Sequence, residues 1–179
     1  MSNRQTNLLH VATLGKTVGL KGDMKLHIKS DFPEQFFAGA KFLSKDSTPI
    51  ILSDVNHARG LVKIEGVNTP EDTKRYINQK LFTTYEATRE NIKLEEGEFF
   101  WFDIMGCDVV EKQQRLGVVK EIERIGVINY LSVITDEKLV AQGESKSFLI
   151  PYHEPFLVET DIDKKIIKVS GCLDILQAS

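Results

Sequence analysis

The chain has 179 residues, enough for one large domain or two small ones, and its 41% hydrophobic and 27% charged content is that of an ordinary soluble globular protein. No apolar run approaches the ~20 residues that span a bilayer, and Met1 to Asn7 lack the apolar region of a signal peptide, so the expected location is the cytoplasm with no membrane contact. A net charge of −3 excludes a strongly basic nucleic-acid footprint, while two cysteines, Cys107 and Cys172, are too few for a disulfide scaffold, lack zinc-ligand spacing and read as small buried hydrophobes.

Strand patterns dominate from the start. Leu8 to Leu14 reads as a strand, and Asp23 to Lys29 alternates strictly, with Met24, Leu26 and Ile28 expected inward and Lys25, His27 and Lys29 outward. Between them Gly15 to Gly22 reads as a glycine-rich loop, in which Lys16, Gly19, Lys21 and Gly22, with Lys25 just beyond, form a candidate surface for RNA phosphates. Further strands are expected at Lys41 to Leu43, Ile50 to Val55, Leu61 to Glu65 and Leu81 to Thr84. One helix start stands out, Thr69-Pro70-Glu71-Asp72, with a hydroxyl cap, proline at the first position and two acids in the first turn. That helix is expected to run to about Gln79.

An acidic stretch, Leu94 to Glu98, then runs into four aromatic residues, Phe99-Phe100-Trp101-Phe102, followed by Asp103-Ile104-Met105-Gly106. As a strand, this segment points Phe99 and Trp101 one way and Phe100 and Phe102 the other. Either both faces are covered or one aromatic pair meets a partner, which makes Phe99, Phe100 and Trp101 the candidate partner-binding residues. The β pattern continues at Cys107 to Glu111, Arg115 to Arg124, Asn129 to Thr135, Ser147 to Pro151 and Lys165 to Val169. The expected fold is all-β with one short helix, in two β-barrels covering residues 1–88 and 98–179 and joined by a linker at 89–97. Charge divides with them: residues 1–97 carry 14 Lys and Arg against 12 Asp and Glu, a balance of +2, and residues 98–179 carry 9 against 14, a balance of −5. An acidic second half favours a basic protein as partner.

Enzyme signatures are missing from the pattern. Gly15-Lys16-Thr17 has His10 where a phosphate loop needs glycine, the glycines miss dinucleotide-binding spacing, and the four histidines show no i, i+4 pair. No metal, cofactor or catalytic residue is expected.

Several short motifs in order make the sequence similar to the RimM ribosome-maturation factors. Val11 to Lys29, above all Gly15-Lys16 and Val18-Gly19-Leu20-Lys21-Gly22-Asp23, resembles the family's opening glycine-rich hairpin, and Leu94 to Gly106 resembles its acidic, aromatic mid-chain signature. Leu116-Gly117-Val118-Val119, Leu149-Ile150-Pro151 and Ile166 to Leu173 resemble its second domain. The resemblance implies a six-stranded translation-factor-type barrel followed by a PRC-type barrel. It also implies a non-enzymatic assembly factor that binds the immature 30S subunit through small-subunit ribosomal protein nineteen and nearby 16S rRNA, and that assists rRNA processing and head maturation; a monomer is the simpler expectation for an adaptor that must fit on a larger particle. Two departures stand out: Phe99 and Phe100 replace paired tyrosines, and Gly126-Val127-Ile128-Asn129 replaces a small, polar turn. The alternatives from other classes are a direct RNA-binding protein using the basic hairpin and the aromatic run, and a flavin-type β-barrel enzyme.

Overall fold

A computed structural model describes residues 8–179, which divide into two compact units meeting between Lys93 and Leu94. Met1 to Asn7, read above as lacking an apolar leader, lie outside the described residues.

In the first unit, strands β1 (Leu8–Val18), β2 (Asp23–Ile28), β3 (Lys41–Leu43), β4 (Pro49–Asn56), β5 (Leu61–Ile64) and β6 (Lys80–Thr84) close into a barrel in the order β1-β2-β5-β4-β3-β6. Closure removes the unpaired edges that an open sheet would expose. The alternating residues Met24 and Leu26 meet Leu14, Phe36, Leu52 and Leu81 inside, all buried. Ile28, expected in that core, is 37% exposed: it is the last residue of β2, paired with the buried Ala12 but at the end of the strand, where less of the barrel covers it.

The loop expected at Gly15 to Gly22 is shorter in fact: β1 continues to Val18 and only Gly19–Gly22 turn. Gly15 lies inside the strand at a register shift, where a β-carbon would come within 2.6 Å of His27 Nε2 on β2. Its missing side chain leaves room for the His27 imidazole, with no turn at that position.

The helix start at Thr69 is correct in detail. Its hydroxyl accepts from Asp72 N, and the Asp72 carboxylate accepts from Thr69 N, a reciprocal capping box. The helix α1 (Pro70–Thr73) is much shorter than expected, giving way to a 3-10 turn at Lys74–Tyr76 before the chain enters β6 at Lys80.

In the second unit β7 (Asp108–Glu111), β8 (Gln114–Ile125), β9 (Ile128–Thr135), β10 (Ser147–Pro151), β11 (Leu157–Asp161) and β12 (Ile166–Val169) form one sheet in the order β10-β9-β8-β7-β12-β11. Only the β12–β7 pair among these is parallel. Leu116, Leu131, Ile150 and Ile167 form the core with Ile104, Cys107 and Cys172, and both cysteines are fully buried as expected. Four further short helices accompany α1 among the described residues: α2 (Tyr85–Asn91), α3 (Trp101–Ile104), α4 (Glu137–Ala141) and α5 (Cys172–Gln177). The architecture is still mostly β.

The largest correction concerns the aromatic run. Phe99 to Phe102 is no strand: Trp101–Ile104 form α3, closed by Asp103 N donating to Phe100 O at 2.9 Å and Met105 N to Trp101 O at 3.0 Å. In a helical turn consecutive side chains fan out by about 100° in place of alternating, so the two-face dilemma disappears.

Candidate binding surfaces

The acidic approach to α3 is a tight turn. Glu98 N donates to Glu95 O at 3.1 Å, and Glu95 N donates back to the Glu98 carboxylate at 2.9 Å, with Gly97 at φ +86° between them. Phe99 then packs, half-buried, against the second core, and Trp101 is likewise half-buried. Phe100, expected among the partner-binding residues, is only 6% exposed and stacks on Phe102 with centroids 5.0 Å apart and planes 9° from parallel. It serves packing in this fold, and Phe99 and Trp101 are the members of the trio that retain exposed ring area. Asp103 at the base of the turn is buried, and its carbonyl oxygen accepts from Lys165 Nζ at 2.9 Å and from the Cys107 thiol at 3.3 Å.

The second candidate surface lies on the β1–β2 hairpin. Lys16 is exposed near the end of β1, Lys21 is exposed in the turn beside Leu20, which is 84% exposed, and Lys25 is exposed on β2. Gly19 and Gly22 both hold left-handed φ, +72° and +80°. At Gly22 space is also short, since a β-carbon would meet Val67 O at 2.6 Å. A hydroxyl link ties the hairpin to α1: Thr73 Oγ1 donates to Pro70 O at 2.6 Å, so the 2.5 Å contact between the two threonines has Thr17 donating to Thr73.

Lys25 is already engaged, its Nζ donating to Arg59 O at 3.0 Å. That bond sets the exposed β4–β5 turn, with His57 and Arg59, beside the hairpin. Arg59 escaped the sequence reading, because it lies 34 residues from Lys25 and in a turn with no periodic signal.

Cutting the chain where the units meet sharpens the charge division. Residues 1–93 carry 14 Lys and Arg against 10 Asp and Glu, a balance of +4, and residues 94–179 carry 9 against 16, a balance of −7. Among the described residues no group of three or more His, Cys, Asp or Glu is placed to hold a metal ion, and no helix is long and apolar enough to cross a membrane.

The β8–β9 hairpin ends in Gly126-Val127, where Gly126 at φ +63° supplies the left-handed residue and Ile125 pairs with Ile128. Its tip is apolar: Ile125 is 51% and Val127 88% exposed.

Comparison with known proteins covers nearly all of the chain. Residues 9–88 match a family model described as the RimM N-terminal domain, and residues 101–175 match one described as the RimM PRC barrel domain. The protein named ribosome maturation factor RimM from Sulfurimonas denitrificans is 57% identical over 179 residues, covering 100% of both chains. Proteins of the same name from Nitratiruptor sp. and Aliarcobacter butzleri are 47% and 45% identical, covering 96% of this chain in each case and 98% and 97% of their own.

Proposed function

The chain belongs to the RimM family, and on that premise we propose that it is a ribosome maturation factor which acts by binding and not by catalysis. The observation that carries this reading is the match to proteins so named along the whole length, at 57% identity over 179 residues. The factor binds the immature 30S subunit, contacts small-subunit ribosomal protein nineteen and nearby 16S rRNA, and assists rRNA processing and maturation of the head. It works as a monomer in the cytoplasm.

The charge division supports two unlike contacts. A unit with balance −7 suits a small basic protein, and a unit with balance +4 that exposes Lys16 and Lys21 on the β1–β2 hairpin and Arg59 on the turn bonded to Lys25 suits the phosphates of rRNA. Phe99 and Trp101 offer apolar ring area beside the acidic Glu95–Glu98 turn, a pairing that suits a basic partner with an apolar patch. Release follows from a difference in affinity: the factor leaves when the mature head no longer presents the surfaces it holds.

Co-sedimentation with free small subunits, large subunits, whole ribosomes and immature small subunits on a sucrose gradient tests the reading. Selective binding to free or immature small subunits, weakened by Lys16→Glu with Lys21→Glu, is expected. Absence of the chain from every ribosomal fraction would overturn the proposal.

A further inference from the structure

The first unit holds a cavity of about 250 Å³ lined by Ser44, Asp46, Thr48, Arg75, Tyr76 and Gln79 among others. Tyr76 is half-buried and packed against the first core, so its ring is fixed. The Arg75 guanidinium lies over that ring, 4.9 Å from its centroid, while the Arg75 side chain itself is exposed. A planar cation held over an aromatic ring can offer a flat face to a further ring.

The Ser44–Thr48 part of the lining is also ordered. The Ser44 and Thr48 hydroxyls both donate to the Asp46 carboxylate, and Ser44 Oγ accepts from Thr48 N at 3.0 Å. Asp46 therefore places a negative charge in the same cavity as the Arg75 cation, a combination that disfavours a phosphate and suits a neutral planar ring with donors on its edge. The Gln79 amide adds both donor and acceptor chemistry. At about 250 Å³ the space falls just below the roughly 300–1,000 Å³ of drug-sized sites, matching one planar ring system. Lys45 and Lys80, each next in sequence to a lining residue, are exposed and add positive charge to this part of the unit.

We propose that this cavity takes one unpaired base of a single-stranded RNA segment, stacked on the outer face of the Arg75 guanidinium. The inference rests on the assembly-factor reading for its source of RNA and adds a base-holding site to it.

Fluorescence anisotropy of the full chain with labelled single-stranded hexanucleotides tests it, with Arg75→Ala and Arg75→Lys alongside wild type and urea midpoints as a check on folding. Both variants are expected to bind about tenfold more weakly, the order of one lost base stack, because lysine keeps the charge and loses the plane. Wild-type affinity in Arg75→Lys would overturn the proposal, as would equal binding of a duplex of the same length. A free nucleoside monophosphate binding as tightly as the hexanucleotide would also overturn it, assigning the cavity to a small molecule. Sedimentation with immature small subunits separates the two readings. A chain that sediments with them but binds hexanucleotide independently of Arg75, or not at all, loses the cavity assignment and keeps the assembly role. A chain that binds hexanucleotide through Arg75 yet avoids every ribosomal fraction keeps the cavity and loses the role.

Discussion

A β-carbon added to Gly117 on β8 would stand 2.1 Å from the carbonyl oxygen of Ile134 on β9. The neighbouring atom is backbone in a paired strand, so it cannot rotate away, and Val133 Cγ1 at 2.8 Å closes the other side. Gly117 thus sets how closely β8 and β9 approach, and Gly117→Ala must push the strands apart. We expect a loss of about 1–3 kcal/mol, the range of overpacked cores, read as a lower urea midpoint with little change in slope. An unchanged midpoint would show that the strands part at no cost.

Glu111 at the end of β7 caps a helix sixty residues away. Its carboxylate accepts from Gly171 N at 2.8 Å, Cys172 N at 2.9 Å and Leu173 N at 2.8 Å, satisfying the first amides of α5, which has no side-chain cap of its own. Glu111→Ala should cost about 1–2 kcal/mol. Hydrogen exchange is the sharper measurement, because protection should fall first in Cys172–Gln177 while β8 and β9 keep theirs.

The aromatic turn predicts a separation between stability and binding. Phe100→Ala removes a buried ring stacked on Phe102 and should destabilise by about 3 kcal/mol. Phe99→Ala with Trp101→Ala, at half-exposed positions, should instead be felt in sedimentation with immature small subunits. If the Phe100 variant keeps its thermal midpoint, the ring contributes nothing to packing.

Local patterns announced most of the barrels, and the failures share one cause. Met24 and Leu26 follow the pleat, and Thr69-Pro70 caps α1, because both signals act within a few residues. The aromatic run misled because Phe and Trp favour strands, whereas its helical end is signalled by Gly106 at φ +80°, a left-handed stop two residues past Ile104. Helix α5 was invisible since its cap, Glu111, is brought by the sheet, and β11 escaped because none of Leu157–Asp161 is fully buried, leaving no clear alternation. For the candidate surfaces, the exposure of the hairpin lysines was legible, whereas Arg59 beside Lys25 and Arg75 over Tyr76 exist only through folding and side-chain placement.

Arg115 joins two acids across the second sheet, contacting Asp108 Oδ1 at 2.8 Å and Asp136 Oδ2 at 2.6 Å. The Lys138 backbone N–H, and after it the Arg115 guanidinium, hold the Asp136 carboxyl below its usual range. A carboxyl lowered in the folded state adds stability that is complete above its unfolded value, roughly 4, and is lost as pH falls through the folded value. Asn caps a helix as well as Asp does, so Asp136→Asn keeps the α4 cap while removing the charge and the oxygen that accepts from Arg115. The variant should have a lower urea midpoint than wild type at pH 7, and the gap should begin to close only below about pH 4 and vanish beneath the folded value. A gap that persists at low pH would assign the effect to shape and not to charge.

The same Glu111 carboxylate that caps α5 also adds to the suppression of Cys172 ionisation. Burial, and secondarily the negative charge of Glu111, push the Cys172 thiol up to about 12, so almost no thiolate is present near neutrality. Burial likewise raises the Cys107 thiol. Iodoacetamide at pH 8 should therefore leave both cysteines of the native chain unmodified over hours and label both once urea unfolds it. In Glu111→Ala the repelling charge is gone and α5 is loosened, two changes that act in the same direction on Cys172 and on no other thiol. Mass spectrometry of the variant should show labelling of Cys172 ahead of Cys107. Equal rates at the two sites would mean that α5 opens only when the whole second unit does, and that Glu111 holds the helix no more firmly than its packing against β10.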